Sequence, residues 1–173
     1  MKTNIKKILK LATLLVTSLL IATASATIYS YMYIEGSGTI TSGELKWVLG
    51  TNAPSGASIQ GAYVKNLNIS VPVNSIRNIT DCLRITNEDD ASHTFDLEVI
   101  VVGGDASNFT TFDLVVYDST GARLATLNVK QSGSSASGLT IDASETLYIR
   151  FEITPVTDAT SGYFYFTVKL TYQ

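Results

Sequence analysis

From residue 27 onward, apolar positions fall at every second place or in short blocks, broken by Gly, Ser, Asn and Asp. That period belongs to strands, whose side chains alternate between two faces, and no stretch carries the 3.6-residue period of an amphipathic helix. The pattern predicts strands over 43–49, with Leu45, Trp47 and Leu49 facing in, and over 59–73, closed by Pro72. A third over 79–87 alternates Cys82, Arg84 and Thr86 against Leu83 and Ile85, and a fourth over 94–102 sets Phe95, Leu97, Val99 and Val101 on one face. Further strands are expected over 109–117, 123–130, 147–153 and 162–173, with Asp118-Ser-Thr-Gly121 as a hairpin between the first two of these. The Ser/Gly-rich run 131–138 reads as an exposed, mobile loop. About eight short strands with turn signals between them predict an all-β fold: a two-sheet antiparallel sandwich of the jelly-roll or immunoglobulin-like kind, in one domain over 39–173.

One more strand precedes these. Residues 28–34 contain no charge, no Gly and no Pro, and are mostly β-branched or aromatic. Tyr29, Tyr31 and Tyr33 fall on one face, and Ile28, Ser30, Met32 and Ile34 on the other. Gly36 and Gly38 follow as a hinge. An apolar strand at a free end is an aggregation hazard unless something covers it. Residues 27–38 are therefore read as a donor strand and hinge whose interface residues (Ile28, Tyr29, Tyr31, Met32, Tyr33 and Ile34) are covered by a neighbouring copy. The plainer alternative is the first strand of a monomeric sandwich.

The residues ahead of it explain why this strand would be terminal. Lys2, Lys6, Lys7 and Lys10 precede an apolar run over 11–21, and Ala24-Ser25-Ala26 supplies small residues for cleavage between Ala26 and Thr27. These are the parts of a secretory signal peptide, 1–26. Removing it leaves 147 of 173 residues and takes four of the 12 basic residues but none of the 15 acidic ones, moving the net charge from −3 to −7. That balance speaks against nucleic acid or an anionic membrane surface as a partner. A rival reading keeps the uncharged stretch 11–34 as the helical stalk of a type IV-like pilin, since 24 residues are long enough to span a bilayer. The apolar run weakens after Ile21, and the Tyr-rich part that follows favours strand.

The search for chemistry returns little. His93 is the sole histidine, which excludes a two-histidine zinc site, and no nucleophile-elbow sequence accompanies it. Glu88, Asp89 and Asp90 cluster, but without the alternating ligand pattern of a calcium loop. No glycine-rich phosphate loop leads into a helix. No catalytic residue, metal site or cofactor is expected, and the chain is read as a non-enzyme. Cys82, the single cysteine, permits no intrachain disulfide and reads as a small buried hydrophobe. Three sequons, at Asn68, Asn78 and Asn108, are candidate glycan acceptors in an exported chain.

The order of features carries a resemblance. A leader ending in Ala-Ser-Ala, a short apolar strand and a Gly-rich stretch are followed by Ser42-Gly43-Glu44-Leu45-Lys46-Trp47. Leu83-Arg84-Ile85-Thr86-Asn87 and an alternating strand come next. This resembles the TasA and camelysin family of biofilm fibre proteins, particularly the archaeal bundling pilins. The resemblance implies a secreted jelly-roll subunit that polymerises head to tail by donor-strand complementation and bundles laterally with neighbouring filaments, with no small-molecule substrate. Carried over, the donor is the segment from Thr27 to about Ile34. Camelysins are described as metalloproteases; this chain lacks a recognisable zinc motif, so that activity is not carried over. A monomeric adhesin or glycan-binding sandwich, with Tyr163 and Tyr165 as exposed aromatics, is the remaining alternative.

Overall fold

The structure is a computed structural model that describes residues 45–60, 63–73 and 75–172 in full and residues 29–37 as backbone. Its elements are β1 (Tyr29–Ser37), β2 (Leu45–Leu49), β3 (Ser58–Gln60), β4 (Tyr63–Pro72), β5 (Arg77–Asn87), β6 (His93–Gly104), β7 (Phe109–Tyr117), β8 (Arg123–Asn128), β9 (Ser135–Ile141), β10 (Thr146–Pro155) and β11 (Tyr163–Tyr172). A single 3-10 turn, Ala106–Asn108, is the sole helical element among the described residues. The strands form a six-stranded sheet in the order β3-β4-β1-β11-β6-β9 and a five-stranded sheet in the order β2-β5-β10-β7-β8. The protein is an all-β sandwich.

Alternation drives the two sheets together. On β11, Phe164, Phe166, Val168 and Leu170 are buried, and the residues between them are exposed or half-buried. On β10, Leu147, Ile149, Phe151 and Ile153 do the same from the facing sheet. Phe112 bridges the layers, its ring centroid 5.7 Å from Phe164 and 5.6 Å from Phe166 on one side and 5.9 Å from Phe151 on the other. Offset and tilted ring packing of this kind adds to plain area burial.

Four sequence expectations change. Cys82 is buried, as read, but not on the Arg84 and Thr86 face: Cys82, Leu83 and Ile85 all point into the core. The cause is a bulge. Asp81 adopts a left-handed φ of 50°, and three residues of β5, 80–82, stand opposite Arg150 alone. On β6 a second irregularity shifts the register between Val99 and Val101, leaving Ile100 as the extra residue. Val101, expected inside, is therefore 43% exposed, and Val102 packs on the core instead. The predicted single strand 59–73 is a pair, β3 and β4, with residues 61–62 outside the described residues. The run 131–138, read as a mobile loop, contributes its last four residues to β9, which pairs along the edge of β6 (Glu98 opposite Ser135, Leu97 opposite Ala136). Leu139 and Ile141 pack it onto the core.

Candidate functional site at the terminal strand

The terminal segment stands third in the six-stranded sheet, hydrogen-bonded on both sides. It runs antiparallel to β4, with Met32 opposite Ile69 and Ile34 opposite Leu67, and parallel to β11, with Met32 opposite Phe164 and Ile34 opposite Phe166. All four partners are buried. Tyr31 and Tyr33 stand opposite Tyr163 and Tyr165, which are 41% and 40% exposed, and opposite half-buried Ser70 and Asn68. The register thus sorts β1 into the two faces expected of it. The slot that receives it is bounded by the edges of β4 and β11.

This slot has an unusual consequence for connectivity. Among the described residues β4 pairs only with β3 and β1, so β1 alone ties the β3-β4 hairpin to β11, β6 and β9. The two walls are firm. β11 is paired along its length with β6, and β4 contributes Val64, Leu67, Ile69 and Val71 to the core. Among the described residues the β1–β11 pairing is also the one parallel ladder, the others being antiparallel.

The hinge differs from its expected form. β1 continues to Ser37, so Gly36 lies inside the strand, opposite Val64, at a register shift that follows Ile34. A glycine at a bulge bends a strand without ending it. Gly38, Ile28, the Ala26–Thr27 cleavage point and the leader lie outside the described residues.

The residues considered for chemistry have structural partners. His93 is not a solvated turn residue. Its Nε2 lies 2.9 Å from Asp89 Oδ2, and its ring meets Tyr172 edge-on at 5.7 Å. The His93 hydrogen bond, before the Asp90 amide, holds the Asp89 carboxyl below the usual carboxylate range. Glu88 pairs with Lys46. The turn is organised by Asn87, the one buried polar residue among those described, whose role in holding the turn the sequence did not reveal. Its Nδ2 donates to Ala91 O at 2.7 Å and Asp142 O at 2.9 Å, and its Oδ1 accepts from Asp89 N at 3.0 Å. Cys82 is fully buried, and burial pushes its thiol up to about 12.

The three sequons fall in different settings. Asn78 is exposed on β5, Asn68 half-buried on β4, and Asn108 half-buried in the 3-10 turn, where its Nδ2 donates to Thr160 O at 3.0 Å. Asn68 and Asn78 line one cleft of about 470 Å³, with Asn52, Arg77, Thr80 and Ile69 among their neighbours.

No family model and no curated protein matches this chain. Among solved structures, the yeast delta-COP-I mu-homology domain is similar over 83% of this chain and 94% of its own, at 8% identity and a TM-score of 0.22. A likeness that slight carries no argument about function.

On the outer face of the five-stranded sheet lies a charged network. Arg123 grips both Glu152 oxygens (2.8 and 2.9 Å), Tyr117 donates to Glu152 Oε1 at 3.1 Å, and Arg150 stacks over the Tyr117 ring at 4.3 Å. A single Arg123 nitrogen, Nη2, donates to both Glu152 oxygens, and together with the ring stacking it ties these side chains into one surface cluster.

Proposed function

We propose that the protein is a secreted structural subunit of an extracellular pilus or biofilm filament, joined head to tail by exchange of the β1 strand. The observation that carries the reading is the placement of β1. Among the described residues it is the first strand, behind a leader-like segment of the sequence, and it fills a slot between two strands, β4 and β11, that have no direct pairing with each other. The same slot accepts the same strand from a neighbour with identical register and hydrogen bonds. Main-chain pairing supplies affinity in such an addition, and alternate side chains supply specificity. A contact of this kind is heterologous and generates an open filament. On this reading the fold-back arrangement is the closed monomer, and the exchanged form is a filament in which the same sandwich is completed in trans.

The test is a deletion of residues 27–34 in the mature chain. Filaments seen by negative-stain imaging of the full-length protein disappear in the variant, and a synthetic peptide spanning 27–37 binds the truncated domain and restores its thermal stability. Filaments of ordinary appearance from the deleted chain would end the proposal.

A further inference from the structure

We propose that Asn78, alone among the three sequon asparagines, is the attachment site of an N-linked glycan, and that the cleft beside it seats the sugar nearest the protein. The argument is one of access and partners. Asn78 is exposed at the start of β5, where that strand's flank is uncovered: β2 pairs only with residues 83–87. Thr80, the hydroxyl residue of the sequon, is exposed with it. Asn108 is clamped. Its Nδ2 bonds Thr160 O, its backbone N–H and carbonyl are taken by Asp105 and Val156, and Nδ2 lies 2.8 Å from where a Cβ on Gly162 would stand. Asn68 sits mid-strand beside β1, opposite Tyr33, with its amide oxygen sealed from water. A bulky substituent at either of these positions meets packed chain.

The cleft that Asn78 borders suits a sugar. Asn52 donates from its Nδ2 to Thr80 O at 2.7 Å and keeps its amide oxygen as an acceptor. Arg77 spends one N–H on Ser70 O at 3.1 Å and keeps the rest of its fork for ring or hydroxyl oxygens. Pro54, Ile69 and Ile79 supply apolar surface for a pyranose face. No carboxylate side chain is among the described lining residues. At about 470 Å³ the cleft is of the size that takes small ligands.

The modification is a group transfer. Asn78 Nδ2 forms a bond to the anomeric carbon of a sugar carried on a polyprenyl phosphate donor, and the bond from that carbon to the phosphate oxygen breaks. The phosphate leaves with the electron pair, and one amide proton is lost to a base of the transferring enzyme. The product keeps one N–H at Nδ2.

Peptide mapping by mass spectrometry on the full chain recovered from its producing cells tests this. The inference rests on export but not on polymerisation, and a peptide beginning at Thr27 in the same digest reports export separately. Saccharide mass on the Asn78 peptide, with Asn68 and Asn108 peptides bare, is the expected result; a bare Asn78 peptide, or equal occupancy at Asn68 or Asn108, overturns it. For the seat, the Arg77→Ala variant retains the glycan but releases it to an endoglycosidase several-fold faster than the parent. Unchanged release rates overturn the seat.

Discussion

Tyr165 and Gly103 are cross-strand partners on β11 and β6, and the tyrosine ring lies over the space that a Cβ on Gly103 would fill. The ring also packs on Tyr163, centroids 5.6 Å apart. Because Tyr165 is exposed on its other side, it can swing away. Gly103→Ala is expected to cost no more than about 1 kcal/mol, typical of a surface change, while altering the near-ultraviolet circular dichroism of the tyrosine pair. Gly50 offers the contrast. There a Cβ meets the Asp81 main-chain carbonyl, and Gly50 N already donates to Cys82 O at 3.0 Å. Backbone cannot step aside as a side chain can, so Gly50→Ala is expected to cost about 3 kcal/mol, the upper end of overpacking penalties. Urea denaturation of both variants checks the order.

Asp81 holds the bulge that Gly50 packs against. Its carboxylate takes Arg84 in a two-point grip at 2.7 and 2.6 Å, and accepts from Thr51 N and Oγ1. The Arg84 hydrogen bonds come first among the causes that hold its carboxyl well below the usual carboxylate range, against the opposing effect of burial. A carboxyl depressed in the folded state contributes stability above its unfolded value, about 3.9, and loses it as pH falls below that. Asp81→Asn is expected to destabilise by about 1–3 kcal/mol at neutral pH. The gap to the parent should narrow as pH falls from about 4 toward 2. A gap that stays constant over that range would assign the loss to shape rather than charge.

The single native thiol allows the strand register to be read chemically. Cys82 is buried with its thiol pushed up to about 12, so the folded parent protein is expected to resist maleimide at pH 8 and to label on unfolding. Tyr33 and Tyr165 are Cα partners across β1 and β11, close enough for a bridge. In a Tyr33→Cys, Tyr165→Cys double variant, oxidation of monomers should close an intrachain disulfide, whereas oxidation of filaments should give a ladder of covalent multimers on a non-reducing gel. An intrachain product from filaments would place the strand in its own subunit even there.

Asn87 is expected to be the most costly single polar residue in the turn between β5 and β6. Asn87→Ala leaves the carbonyls of Ala91 and Asp142 and the amide of Asp89 without their partner, and should lower stability by about 2–4 kcal/mol. Thermal unfolding of the variant checks it, with Glu88→Ala, whose Lys46 pair is exposed, as a near-neutral control.

What the sequence made legible was whatever obeyed a period. The alternations of β2 and β10 identify their buried faces outright, because a two-residue repeat needs no partner to be recognised. Cys82 and Val101 were misplaced by strand irregularities that leave no mark in polarity: three residues around Asp81 stand opposite one, which turns Cys82 inward beside Leu83 and Ile85, and the single extra residue Ile100 moves the inward face from Val101 to Val102. β9 escaped notice because its Ser-Ala-Ser-Gly start is held by main-chain pairing to β6, to which composition is blind. At the candidate site, the two faces of β1 were readable from Tyr and Ile positions, but its neighbours were not. Which strands flank a slot is decided by the closure of the whole sheet, and 90 residues of chain separate β4 from β11.

That distance sets a clock. Met32 and Phe164 lie 132 positions apart, so the closing pair of the six-stranded sheet cannot form until the last strand is available. Contacts between remote segments form late, since the loop between them must be ordered first. On the proposed reading, a freshly exported subunit would pass through an interval in which β11 and β4 present open edges while its own β1 is still unattached. How long that interval lasts, against the local concentration of other copies, would then decide between a subunit that seals itself and one that is sealed by its neighbour.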